Sequence, residues 1–197
     1  MCKGLDSTRE IVDTSLKDIL SDKRSRIIKK WRDLTLAAYP GDAQRFLRKE
    51  KNQFANPVGR TISEALEVLY DELLKGGGTE IGSSALDKII RIRAVQDLKP
   101  SQAIGFIIQL KGIIGKELKA AAQENGLSEE IREVERAIDN MALMAFDMYT
   151  QCRQKIYEIR VSEVQGQVSG LLRRVNISSR NAEKAADSQN SSSKTCC

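Results

Sequence analysis

At 197 residues, with a net charge of +5, 30% charged side chains, 5% aromatics and three prolines, the chain can bury one proper core. Its composition favours helices over a β-sandwich or barrel. It has no histidine, which excludes Ser-His-Asp and Cys-His catalysis, His-bearing zinc sites and a proximal-histidine haem unless another residue substitutes.

Ile11, Val12, Leu16, Ile19 and Leu20 predict a short amphipathic helix from about Ser7, with Asp6 or Ser7 as its cap. A second helix starts at Ser21 or Asp22, carries Ile27, Ile28, Trp31, Leu34, Thr35 and Ala38 at helical spacing, and stops at Tyr39-Pro40-Gly41. Trp31 is expected to anchor the core. The basic run from Lys23 to Arg32 reads as a solvated helix face; a nucleic-acid surface would bring aromatic platforms or a reading motif. After a short basic helix over Asp42 to Lys51, Asn56-Pro57-Val58-Gly59 marks a helix start, since an Asn side chain caps free amides and Pro gives up an N–H that has no partner there. The same start can hold an anion, but plain capping is the stronger reading. That helix runs through Leu73 and Leu74 to the loop Gly76-Gly77-Gly78.

Ser83 or Ser84 is expected to cap the next helix, which ends at the corner Asp97-Leu98-Lys99-Pro100. Beside this corner Arg91, Arg93, Gln96 and Asp97 gather polar groups. Such groups ordinarily hold a helix corner together; a small-ligand pocket is the alternative. The most apolar stretch follows Pro100. Ala103, Ile107, Leu110, Ile114 and Leu118 keep 3–4 spacing while Ile104, Phe106, Ile108 and Ile113 fill other faces, which predicts a central helix buried nearly all round. Gly105, Gly112 and Gly115 would then be points where another helix crosses closely. This run is too short to span a bilayer, which takes about 20 residues.

Asn125-Gly126 ends the central helix, and the last helix begins at Ser128 with Glu129 and Glu130 favouring its dipole. Ile131, Val134, Ile138, Met141, Ala145, Met148 and Cys152 form one seam; Val161, Val164, Val168, Leu171 and Val175 form a second, offset seam. Helical from Ser128 to Val175, this element would be about 70 Å long, more than one small domain covers, so the second seam predicts a dimer stalk or docking helix. The expected organisation is a body over residues 1–157, a helical extension over 158–176, and a disordered Ser/Asn-rich tail over 177–197 that ends in Cys196 and Cys197. These two thiols on a mobile arm could pair, accept sulfur or electrons, or carry lipid, or simply end the chain. The four cysteines, Cys2 and Cys152 included, are too scattered for a metal knuckle or disulfide framework. A reduced cytoplasmic setting fits, and the first residues lack a secretory h-region.

Trp31 and Tyr39, then Phe54-Ala55-Asn56-Pro57-Val58-Gly59, then Arg91-Ile92-Arg93-Ala94-Val95-Gln96-Asp97 with Ser101-Gln102-Ala103, together resemble the RsbT co-antagonist RsbRD N-terminal domain family over roughly Ile11 to Tyr157. The resemblance implies an all-α, globin-like bundle without haem that dimerises through its terminal helices. In stressosome proteins such a domain signals through a linker helix to a STAS domain. No STAS domain follows here, so the expectation is a free-standing, non-enzymatic sensory or adaptor module that needs no cofactor or metal. Its contact region would lie around Asn56, Gly59, Arg91, Arg93 and Gln96, and its partner would be a second copy or another protein, with no nucleic acid and no transmembrane segment. The rival reading is a thiol or sulfur carrier of an anaerobic sulfur-metabolism redox complex, acting through Cys196 and Cys197.

Overall fold

Trp31 and Arg93, two of the bulkiest side chains in the protein, are both completely buried, and the helices are arranged around them. The computed structural model describes residues 15–49, 54–76, 78–96, 98–124 and 127–192; at 119–124, 175 and 179–192 it describes the backbone alone. The described residues form seven helices and no strand: α1 (Leu16–Asp22), α2 (Arg24–Leu36), α3 (Gly41–Lys49), α4 (Pro57–Leu74), α5 (Glu80–Val95), α6 (Pro100–Glu124) and α7 (Ser128–Ser192). The chain divides into two compact units, one ending at Gln151 and one beginning at Cys152. The boundary thus falls slightly earlier than the expected residue 157.

In the first unit α4 pairs with α5 and α2 packs on α6. Alternating three- and four-residue steps place Ile62, Leu66, Leu69, Tyr70 and Leu73 of α4 and Leu86, Ile89, Ile90 and Ala94 of α5 inside. Gly76 and Gly78 turn the chain between them with φ of 105° and 79°, a region that side-chain-bearing residues rarely occupy. The start of α5 differs from the sequence expectation. Its cap is Thr79, whose hydroxyl oxygen accepts from the Gly82 amide at 3.2 Å, so Gly82 and Ser83 lie inside the first turn. Threonine four residues upstream outcompetes the serines because its hydroxyl also donates to the buried Glu72 carboxylate of α4.

Helix α6 is central, but one side of it is open. Ala103, Phe106, Ile107, Leu110, Ile113, Ile114 and Leu118 are buried, whereas Ile108 is 53% exposed. An added methyl at Gly105, Gly112 or Gly115 would meet nothing within 4 Å, so these glycines lie on the open side and no helix among the described residues crosses them. Of the first seam of α7, Ile138 and Ala145 are buried while Ile131, Val134, Met141, Met148 and Cys152 are half-buried; Ala142 and Tyr149, outside that seam, are buried beside them, and the Tyr149 hydroxyl donates to the Leu98 carbonyl. α1 is capped by Ser15 rather than by Asp6 or Ser7, and residues 1–14 lie outside those described.

Three of the six cations of the basic run, Arg24, Arg26 and Lys30, have carboxylate partners among the described residues. Glu117 of α6, buried, takes Lys30 Nζ at 2.5 Å and Arg26 Nε at 3.3 Å, and Lys23 Nζ donates to its main-chain carbonyl. The Lys30 bond holds the Glu117 carboxyl below its ordinary range against the opposing effect of burial. Arg24 forks onto Asp71 at 2.7 and 2.9 Å, tying α2 to α4.

Candidate functional site

The polar corner expected from the sequence separates into three environments. Asn56 caps α4: its Oδ1 accepts from the Gly59 amide at 2.8 Å and its Nδ2 donates to the Leu47 carbonyl at 3.0 Å, joining the end of α3 to the start of α4. What approaches Gly59 closely is this same side chain, since a methyl at Gly59 would stand 2.6 Å from Asn56 Oδ1. The consequence is a change of sign. Gly59→Ala alone should be neutral or destabilising, because it displaces a cap worth about 1 kcal/mol. In an Asn56→Ala background the same change should stabilise by about 0.5–1 kcal/mol through helix propensity alone. Denaturant titration of the four proteins reads this directly, and simple additivity would mean that the two residues are not in conflict.

Arg91 and Gln96 are exposed, and Arg91 pairs with Asp87 one turn back at 2.5 Å. Arg93 is fully buried. Its Nη1 donates to the carbonyls of Gln102 (2.7 Å) and Ala103 (3.2 Å) in the first turn of α6, and its Nη2 to the Thr35 carbonyl (2.7 Å) in the last turn of α2. The guanidinium also lies over the Phe106 ring at 4.7 Å and the Tyr39 ring at 5.9 Å. Burial lowers the Arg93 pKa, and burial raises that of the Tyr39 hydroxyl, with the Arg93 charge opposing the latter shift. Arg93 therefore joins three helices from within.

Sequence periodicity did not reveal the hollows on the other side of the first unit. A hollow of about 400 Å³ is walled by Leu69, Leu86, Met141 and Met144, with Glu72, Thr79, Ser83, Glu133, Arg136 and Asn140 among its polar groups. A second, of about 320 Å³, reaches Leu16 and Leu20 of α1 and shares Leu73, Gly76, Glu133 and Ala137 with the first. Adaptable methionines, leucines and a few fixed polar groups suit a small molecule with an apolar body and one hydrogen-bonding end. Glu72 is held below its usual range first by the Thr79 hydroxyl and then by Lys75, so it is an acceptor already engaged. Period alone does not separate a seam against a neighbour from one bordering a hollow, which is why Met141 was read as packing.

In the second unit α7 continues to Ser192. The stretch from Leu171 to Ser192 contains no glycine or proline to stop it, so helical backbone extends past Asn176 into the segment expected to be a tail. Val161, Val164, Val168 and Leu171 are 55%, 57%, 49% and 60% exposed. The side chain of Val175, and Cys196 and Cys197, lie outside the described residues, and Cys152 is half-buried and unpaired.

An all-α module with a long terminal helix is the class of protein that these elements define. The chain belongs to the RsbT co-antagonist protein rsbRD N-terminal domain family, whose pattern matches residues 25–164. It is also similar to an uncharacterized protein of Archaeoglobus fulgidus, 25% identical over 164 residues that cover 80% of this chain and 95% of that protein. No solved structure matches the chain. Among the described residues no helix is long and apolar enough to cross a membrane, and no group of metal-ligating side chains comes together.

Proposed function

We propose that this chain is a non-enzymatic, cytoplasmic sensory or adaptor module of the globin-like, haem-free type. It takes up a ligand or partner signal in its body and passes it on through α7, in the manner of a stressosome-related sensor domain. The observation that carries the reading is the set of half-exposed apolar residues on α7 beyond Gln151, on a helix whose earlier turns supply Glu133, Ala137, Met141 and Met144 to the walls of the hollows. Val161 and Val168 fall at the first apolar position of a heptad, and Val164 and Leu171 at the second. Apolar residues repeating at this spacing suit pairing with a like helix, and the occupant of this seam is a second copy of the chain. A ligand in the hollows would act by favouring one of two packings of the paired helices.

Val168→Asp places a carboxylate in the middle of that seam. Sedimentation equilibrium should show the wild-type chain as a dimer and the variant as a monomer, with the helical circular dichroism and unfolding midpoint of the body kept. Equal masses for the two proteins would overturn the reading.

A further inference from the structure

Tyr149 is the last buried side chain of α7 among the described residues, and from Tyr157 to Arg174 every residue is exposed. Three side-chain pairs brace the turns up to Glu158. Arg153 donates to the Tyr157 hydroxyl at 2.8 Å and lies over its ring at 4.9 Å, Gln154 donates to Glu158 at 3.0 Å, and Lys155 stands 3.9 Å from the same carboxylate. From Ile159 to Arg174, among the described residues, no hydrogen bond or ion pair between side chains joins one turn to the next. The residues themselves favour a helix weakly. Of the ten from Val161 to Gly170, three are valine, two serine and two glycine. Valine loses side-chain freedom against the preceding turn, serine competes for backbone hydrogen bonds, and glycine disfavours a helix about four- to fivefold relative to alanine. In water most helical stability comes from packing an apolar face, and here that face is the half-exposed seam of Val161, Val164, Val168 and Leu171.

Gly166 and Gly170 do nothing for that seam. They lie two residues before and two after Val168, about 200° round the helix from it in each case, and an added methyl at either would meet nothing within 4 Å. The two glycines therefore weaken the helix without bringing a partner closer. We infer that α7 from Ile159 to Arg174 is a conditional helix, ordered by pairing with a second copy and loosened when the pair separates. This rests on the pairing proposed above for the same seam. It gives the module an order–disorder switch, in which any change that tightens or opens the pair is read as helix gained or lost beyond Ile159.

Sedimentation equilibrium and far-ultraviolet circular dichroism on one dilution series of the full chain, in reductant, compare the wild type with a Gly166→Ala/Gly170→Ala variant. If pairing orders the helix, alanine stabilises the paired state alone. The four replacements per pair then lower the dissociation constant about a hundredfold or more. The wild-type helical signal falls as the dimer dissociates, and hydrogen exchange quickens at the amides of residues 159–174. A helix already formed in the single chain gains equally from alanine before and after pairing. A dissociation constant unchanged by the two alanines, or a helical signal that stays level on dissociation, would therefore overturn the inference and leave the pairing intact. Wild type and variant both monomeric at every concentration would overturn the pairing itself, and the inference with it.

Discussion

Arg93→Ala should lower the unfolding free energy by about 3–5 kcal/mol, as large core truncations do. Three effects add. The truncation opens a void where a completely buried side chain stood, and it removes the face-on cation from Phe106 and Tyr39. It also leaves the Thr35 carbonyl, in a helix turn where carbonyls lack an intrahelical partner, buried without its donor. The carbonyls of Gln102 and Ala103 suffer less, because each sits early in α6 and can also accept within that helix. Two further variants separate charge from volume. Arg93→Lys keeps the charge but offers one point donor where a planar fork met three carbonyls, so its cost should approach that of alanine. Arg93→Met fills most of the space and carries no charge into the core, so it should cost less than either. Denaturant titration followed by circular dichroism gives the order. An alanine variant within about 1 kcal/mol of wild type would show that the guanidinium does not join the helices.

Trp31→Ala should cost about as much, 3–5 kcal/mol by the same measurement. The indole is fully buried, stacks on Phe106 at 6.0 Å between centroids, and donates from Nε1 to the Phe106 carbonyl at 2.7 Å. Trp31→Phe keeps most of the apolar contact while removing that donor, and should cost about 1–2 kcal/mol. Because Trp31 and Arg93 bear on the same turn of α6 from α2 and α5, their losses should not add. A double variant should show a coupling of about 0.5–3 kcal/mol. Strict additivity would mean that the two side chains hold α6 independently. As the single tryptophan in the chain, Trp31 also reports on its own surroundings, and its emission should be blue-shifted until the α2–α6 contact opens.

Much of this architecture was legible in the residues. Asn56-Pro57 announced the start of α4, because a cap and a first-turn proline solve the same local problem of unpartnered amides. The inward side of α7 was legible in part: steps of three and four residues marked Ile138 and Ala145, but the buried stripe runs on through Ala142 and Tyr149, one position beside the expected seam. Thr79 was missed as the cap of α5 because its advantage comes from Glu72 on another helix, a contact with no local signature. The glycines of α6 misled for a related reason: a missing side chain signals close approach only where something approaches, and that side of the helix is open. Arg93 could be recognised as one of a polar group at a corner. That its partners would be carbonyls of α2 and α6 rather than a ligand depends on how three helix ends converge, which spacing within α5 does not encode. The hollows were invisible because periodicity records which side chains turn inward and not how completely they meet.

The arrangement around Glu117 bears on how this protein would behave among polyanions. A single buried carboxylate stands between Lys30 and Arg26, with Lys23 bound to the same residue's main chain. While Glu117 is ionised, it offsets one of the three positive charges gathered there on the first turns of α2. The Lys30 bond depresses the carboxyl's pKa, so this offset is fully present above the ordinary glutamate range and is lost only as the pH falls through the lowered value. Protonation there, or replacement by glutamine, would leave one more positive charge on this face and strengthen its attraction for nucleic acid or anionic lipid. How strongly this face of α2 draws polyanions is thus set in part by one acid on the core helix.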